Sequence, residues 1–319
     1  MDVKAKGVKW LSLALCLTAG FSLFACSDDD EDEGGSGEGT PAQQPPKVSD
    51  VGFQFPVTQY SNGYNLETYN YSDGRMTGAT SNNGSYTISY NPLRLKSVNG
   101  SGSETIELIN IKVNDSGFMT YADYSNTYSY YDEYYFEKGY LTFSYDAEGH
   151  LVNESLYINE SSDGPYSCTL TYTWENGNMV KSVYKDNENW SEVCTLAYEN
   201  DQWTNSGVFT ESFLYAGMMG EPVIYFSGLL GRLTRLIPTS MVDTDSDGYV
   251  DNYVTQAVNY NPDHSISSIV EDENGYSLTT YFGYAGYPIQ QQSGYSAAPA
   301  WKSPKAVHGM KARRMMKRK

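Results

Sequence analysis

The sequence predicts a mainly β fold: an antiparallel meander forming a curled sheet or half-barrel, water-soluble, with one short helical insertion. Three observations predict it. Apolar and polar residues alternate over strand-length runs, which puts one class on each face of a sheet. A turn phrase recurs between those runs. Tyrosine and glycine are abundant, at 30 and 29 of 319 residues, while the Lys-, Glu- and Ala-rich stretches of surface helices are scarce.

The chain opens on an address. Lys4, Lys6 and Lys9 precede an apolar run from Trp10 to Phe24 that ends at Ala25-Cys26. A basic start, a short apolar core and a small residue before the cut are the parts of an export signal, and the run is shorter than the ~20 apolar residues of a spanning helix. With a cysteine directly after the small residue, Leu23-Phe24-Ala25-Cys26 resembles the lipobox of a bacterial lipoprotein. That resemblance implies that Cys26 is the acylated first residue and that the membrane is engaged through its lipid. The run Ser27-Asp28-Asp29-Asp30-Glu31-Asp32-Glu33 is similar to the acidic export signal of Bacteroidetes-type surface lipoproteins, which implies an outer-membrane anchor facing the exterior. As residues alone, it is a solvated acidic stretch. Gly34 to Ser49, rich in Gly, Ser, Pro and Gln, reads as a flexible tether. The expected organisation is a signal peptide over 1–25, an acidic signal and tether over 26–50, one β domain over 51–300 and a basic tail over 301–319.

Within the body, an aromatic or apolar residue, a short polar turn and then Leu, Met or Ile appear again and again. Tyr71-Ser-Asp-Gly74-Arg-Met76, Val113-Asn-Asp-Ser-Gly117-Phe-Met119, Phe136-Glu-Lys-Gly139-Tyr-Leu141 and Tyr145-Asp-Ala-Glu-Gly149-His-Leu151 are instances. Trp174-Glu-Asn-Gly177-Asn-Met179 follows, and Tyr90 to Leu95 and Tyr260 to Ile266 use an Asn-Pro turn instead. Before Asn176-Gly177, Cys168, Leu170, Tyr172 and Trp174 alternate with Thr169, Thr171 and Thr173. This is a strand with an apolar and a threonine face, leading into a tight hairpin. Strands such as Leu141 to Tyr145 read as too short to span lipid, which needs ~9–11 residues. Phe226, Leu229, Leu230, Leu233 and Leu236 recur at helical spacing within 213–237, with Arg232 and Arg235 on the other side. This predicts a short helix that fills the mouth or concave face of the sheet.

The meander, the segment Phe213-Leu-Tyr-Ala-Gly-Met-Met-Gly220 and the closing Tyr281-Phe-Gly-Tyr-Ala-Gly-Tyr287 together resemble the uncharacterised porin-like-fold domain of Bacteroidetes lipoproteins, over roughly Val51 to Gln292. The resemblance implies architecture without chemistry.

Candidate chemistry is sparse. Asp243, Asp245, Asp247 and Asp251, with Gly248 and the carbonyl of Tyr249, have the spacing of a calcium loop, the one cofactor the sequence suggests. Val254 stands where a closing bidentate acid belongs. The same residues also suit an acidic hairpin turn. Cys168 and Cys194 begin matching strands with another between them, so the meander predicts free thiols rather than a disulfide: two strand spacings exceed the ~7 Å Cα limit. His150, His264 and His308 have no ligand spacing, and no nucleophile elbow or phosphate loop is present. The acidic balance, a net charge of −18, argues against nucleic acid. Tyr121, Tyr124, Tyr128, Tyr130, Tyr131, Tyr134 and Tyr135 crowd one region, suited to a half-wet sheet or to stacking on sugars. The expected function is non-catalytic: a cell-surface binding or scaffold module for a glycan or an outer-membrane partner. The alternative is a surface glycan hydrolase with carboxylates assembled across strands.

Overall fold

The computed structural model describes residues 45–289, apart from 63–64, 83, 101–103, 131–132, 163, 188–189, 209–221 and 274. The export signal, Cys26, the acidic run, the basic tail, Tyr131 and the segment Phe213–Gly220 lie outside the described residues.

Sixteen strands follow one another in chain order, each antiparallel to the next. They are β1 (Gln59–Ser61), β2 (Leu66–Ser72), β3 (Arg75–Ser81), β4 (Gly84–Tyr90), β5 (Leu93–Asn99) and β6 (Glu104–Val113). Next come β7 (Met119–Tyr130), β8 (Glu133–Tyr145), β9 (Leu151–Ser161), β10 (Tyr166–Glu175) and β11 (Asn178–Asp186). The last five are β12 (Ser191–Ala197), β13 (Ser240–Asp245), β14 (Val250–Tyr260), β15 (Ile266–Glu273) and β16 (Tyr276–Gly283). The meander is as expected, but it is a closed barrel and not a curled sheet or half-barrel. β1 pairs with β2 on one side and with β16 on the other, through Gln59↔Gly283, Tyr60↔Phe282 and Ser61↔Tyr281. Closure removes both exposed edges.

Strand length is a second correction. Phe136 to Leu141, expected to turn, runs straight through as part of the 13-residue β8. Gly139 serves close approach: a Cβ there would lie 1.8 Å from the Tyr157 carbonyl oxygen on β9, beside a register shift at Lys138/Gly139.

Side chains divide sharply between the two faces. On β10, Cys168, Leu170 and Tyr172 are buried while Thr171 and Thr173 are exposed. On β5, Leu95 and Ser97 point in, and Arg94 and Lys96 point out. Among the described residues, the exposed large hydrophobics are seven tyrosines and Val250. A lipid-facing wall instead carries an apolar band about 25 Å tall.

The β12–β13 connection, together with residues 45–58, fills one end of the barrel. Its helix is much shorter than the leucine spacing predicted: α1 covers only Pro222–Phe226, five residues. Beyond it, Gly228 and Gly231 adopt φ of 78° and 85°, which ends helical winding. Leu229, Leu230 and Leu236 are nevertheless buried, from turns and extended backbone, while Arg232 and Arg235 are exposed. Phe226 is fully buried against the rings of Tyr69 (5.0 Å), Phe53 (6.2 Å) and Tyr60 (6.3 Å). Val48 and Val51 belong to the same cluster, so the packed body begins ahead of the boundary at 51. The turns 73–74, 91–92, 114–118, 146–150, 176–177 and 261–265 surround this plugged end. The opposite end, here the mouth, is the one toward which the other ends of the strands run.

The repeated phrase has a structural meaning that spacing alone did not reveal. At five strand ends among the described residues, three of them opening hairpins, an aromatic passes its hydrogen bond back to the residue that closes an earlier phrase. Tyr90 Oη donates to the Met76 carbonyl, Tyr145 Oη to Met119 (2.7 Å) and Trp174 Nε1 to Leu151 (2.7 Å). Tyr198 Oη donates to Met179 (2.7 Å) and Tyr284 Oη to Ile266 (2.9 Å). Tyr71 begins the series on the Val57 carbonyl at 2.8 Å. Each aromatic thus fills the barrel end with its ring and satisfies a carbonyl of the neighbouring hairpin with its tip.

Removing one hydroxyl should therefore cost more than a surface change. Tyr198→Phe or Tyr284→Phe is expected to lose about 1–3 kcal/mol in urea unfolding, since a buried carbonyl is left without its donor. Tyr253→Phe on the outer wall should stay within about 0.5 kcal/mol.

Burial raises the phenol pKa of Tyr71, Tyr145, Tyr198 and Tyr284, and pushes Tyr90 up to about 12. A folded-state pKa above the unfolded value of ~10 gives stability that is complete below pH 10 and lost as pH rises through the folded pKa. Melting temperature is expected to fall steadily above pH 10. The tyrosinate absorbance of these buried phenols should appear only with unfolding; a titration of every tyrosine in one wave at pH 10 with circular dichroism unchanged would contradict the buried stitches.

Candidate functional site

The inner wall carries carboxylates that the sequence reading missed. Glu67, Glu137, Glu154 and Glu271 are buried, and Glu104, Glu192 and Asp243 are half-buried on the same face. The parity signal was present: each occupies an alternate position shared with apolar residues, as Glu154 does with Leu156 and Ile158. Among the described residues no lysine or arginine is buried. Arg94 and Lys96 engage Glu107 on the outer wall at 3.0 and 2.9 Å. Burial disfavours the Glu107 carboxylate, but the hydrogen bonds and charges of Lys96 and Arg94 outweigh it and lower its pKa.

Hydroxyl and amide donors stabilise the interior acids. Tyr69 Oη donates to Glu67 Oε2 at 2.6 Å, Tyr124 Oη to Glu137 Oε2 at 3.1 Å and Tyr172 Oη to Glu154 Oε2 at 2.9 Å. Gln256 Nε2 donates to Glu271 Oε1 at 2.9 Å. Burial first, and then the Glu67 carboxylate, hold the Tyr69 phenol well above its ordinary pKa. Charge-assisted donation of this kind is stronger than a neutral hydrogen bond, and it gives a buried carboxylate part of what water gave it.

Toward the mouth the lining becomes aromatic. Tyr128 and Tyr135 stack nearly parallel, 5.1 Å apart and at 10°. Tyr166 and Tyr184 share a hydroxyl–hydroxyl hydrogen bond, and Tyr184 meets Trp190 edge-on at 5.4 Å. The crowded tyrosines thus serve two surfaces. Tyr124, Tyr128 and Tyr135 point in, whereas Tyr121 stacks on Tyr140, and Tyr140 on Tyr157, along the outer wall.

The aspartate-rich segment forms the β13–β14 hairpin. Asp243 lies in β13, opposite Cys194 on the inner face. Asp245 Oδ1 accepts the backbone N–H of Asp247 at 2.9 Å and of Tyr249 at 3.0 Å, the bonds of a side-chain-capped turn. Asp247 and Tyr249 are exposed, and the Asp251 side chain lies outside the described residues. Among the described residues no three Asp, Glu, His or Cys side chains gather at a spacing that could hold a metal. Cys168 and Cys194 are separate buried thiols on β10 and β12, with β11 between them. Burial pushes the Cys194 thiol up, and Asp243 reinforces the shift.

At the plugged end a cavity of about 270 Å³ lies between the 45–51 segment and the β6–β7 and β8–β9 turns, with Arg232 and Glu148 in its lining. His150, the residue after the lining Gly149, stacks on Trp174 at 4.4 Å and holds Asp146 Oδ2 through Nδ1 at 3.0 Å. The Asp146 carboxyl sits below its ordinary pKa: burial opposes ionisation, but hydrogen bonds from His150 prevail. This is a fastening between turn and wall. His264 and the described carboxylates of the mouth turns do not join it.

If Asp245 acts as a turn cap, Asp245→Ala should cost about 0.5–2 kcal/mol. The loss should be equal in EDTA and in 1 mM calcium; a loss seen only with calcium would make the loop an ion site.

No protein-family model matches the chain, and no curated protein does. Solved structures do, two porin-like proteins among them. A porin-like protein from Bacteroides vulgatus superposes with a TM-score of 0.53 at 13% identity, over 72% of this chain and 98% of that one. A porin-like protein from Bacteroides uniformis gives 0.49 at 15% identity, over 72% and 97%. The likeness to the Bacteroides vulgatus protein establishes a porin-like β fold.

Proposed function

We propose that this chain is a lipid-anchored surface protein whose barrel stands in water and serves as a non-catalytic binding module, with a glycan as its ligand. The observation that carries this reading is the polarity of the wall. Threonine, serine, lysine and tyrosine face outward, and carboxylates and aromatics face inward. A lipid-spanning barrel needs the apolar side chains outside. Here they fill the interior, so the stable surroundings for this wall are aqueous.

The two ends then have different tasks. The described chain enters and leaves at the plugged end: the Pro45 carbonyl accepts from Arg75 Nε at 2.8 Å, and Ile289 N–H donates to Gln59 Oε1 at 2.8 Å. With Cys26 acylated, residues 27–44 would give a flexible tether of roughly 23 Å r.m.s. reach. The plug would face the membrane and the mouth the exterior. Tyrosine and tryptophan beside buried hydrogen-bonding groups form the lining that sugar rings and hydroxyls use. An acidic interior in an acidic chain repels nucleic acid and other polyanions.

A second reading, a glycan hydrolase, is favoured by Glu192 and Asp243. They lie on adjacent strands and diagonally in register, since Cys194 faces Asp243 and Glu192 faces Asp245. Diagonal neighbours of this kind lie ~7–8 Å apart, within the range of paired glycosidase acids.

A glycan array and a reducing-end assay, both on the chain from Ser27 onward, separate the readings. Binding module: at least one glycan class is retained and no new reducing ends appear. Reducing ends that vanish in Glu192→Gln would make the protein a hydrolase. An array without any retained glycan would move the ligand to an outer-membrane protein.

A further inference from the structure

We infer that the interior holds a subsite for a primary ammonium group, built by Glu104, Asn126 and Glu137 on β6, β7 and β8. This rests on the reading of the barrel as a binding module and gives its ligand a charge.

Asn126 is the starting point. It faces inward between Tyr124 and Tyr128, is 1% exposed, and neither its amide oxygen nor its amide nitrogen has a hydrogen-bond partner. Buried polar side chains are nearly always satisfied, and an exception calls for an explanation such as an absent ligand group. A purely structural position would be better filled by leucine, which has similar volume and nothing to desolvate.

Its neighbours define the missing group. Asn126 is directly opposite Glu137 in the β7–β8 register. Glu104 faces Tyr128, and Ile106 faces Asn126, so Glu104 is the diagonal neighbour on the other side. Glu137 accepts a hydrogen bond from Tyr124, and a carboxylate can accept from several donors at once. Lys138, the next residue along β8, points to the outer wall and engages Glu160 at 3.3 Å. One rung nearer the mouth stand the stacked rings of Tyr128 and Tyr135. These two rings and Glu137 keep 8–9% exposure, so the subsite is approached from that side.

A group entering here meets two carboxylates, an amide oxygen and aromatic faces. An anion is repelled. A neutral hydroxyl brings no positive charge to two carboxylates. A primary ammonium has three donors for Glu104, Asn126 Oδ1 and Glu137, carries the opposite charge, and is attracted to tyrosine faces. Asn126 Nδ2 remains to donate to an oxygen or second nitrogen on the same ligand. Amino sugars and polyamines both present this chemistry.

The test uses the chain from Ser27 onward, with thermal shift and calorimetry against glucosamine, spermidine and glucose. Glucosamine, spermidine or both should raise the melting temperature at concentrations where glucose does not. Asn126→Leu should melt higher than wild type without ligand and bind the amine at least ~10-fold more weakly, and Glu137→Gln should weaken it comparably. The inference fails if neither amine binds, or if amine binding is undiminished in both variants. It also fails if Asn126→Leu melts lower than wild type while Glu137→Gln binds normally. Retention of neutral glycans without amine binding sinks the inference and leaves the glycan module standing. Spermidine binding with no glycan retained supports the inference and removes the sugar.

Discussion

The fold depends on one recurring hydrogen bond: the tip of a buried aromatic on the carbonyl that closes an earlier hairpin. Neighbouring strands are already joined by their ladders, but ladders do not decide how strongly a sheet curves. An aromatic that must reach a particular carbonyl at the start of the preceding strand, from inside the barrel end, does. Tyr145 on Met119, Trp174 on Leu151 and Tyr198 on Met179 repeat the same reach around the plugged end, where register shifts at Ser144/Tyr145 and Thr173/Trp174 bend the strands inward. The ring supplies apolar area to the plug, and the polar tip prevents a buried carbonyl from being left unsatisfied.

A second constraint follows from closing sixteen strands. Barrels of this size leave a wide interior. This one fills part of it with Phe226, Leu229, Leu230 and the 45–58 segment, and lines the rest with tyrosine hydroxyls donating to glutamates. Burying carboxylates is costly unless donors or counter-charges meet them, and proteins commonly accept that cost where a ligand is to be bound. The all-outward arrangement of strand lysines and arginines makes the interior electrostatically one-signed, which the sequence's overall acidity only hinted at.

Much of the architecture was legible because turns are local. Asp73-Gly74, Asn91-Pro92 and Asn176-Gly177 sit at hairpins because their backbone preferences demand it. Closure was not legible, since it rests on three residue pairs between Gln59–Ser61 and strand β16, more than two hundred residues away. Gly139 misled for a physical reason: glycine permits both turns and close backbone approach, and its role here is the second. The leucines of 226–236 mimicked a helical stripe because turns at Gly228 and Gly231 fold them into one core by another route. The interior acids were visible as parity, yet parity assigns a face and not which face is inside a barrel. Asn126 carried no signal at all, because an unsatisfied amide is defined only by what surrounds it in three dimensions.

That the first and last described residues both lie beside the plug has a mechanical consequence. Tension applied ahead of Pro45 would be delivered to the packed wedge of Val48, Val51 and Phe53 and to the three-residue seam β1 behind it. The stacked rings at the far rim lie outside that load path. A pull strong enough to shear the seam would unroll the wall from its first strand, whereas gentler tugging leaves the rim's shape unaltered.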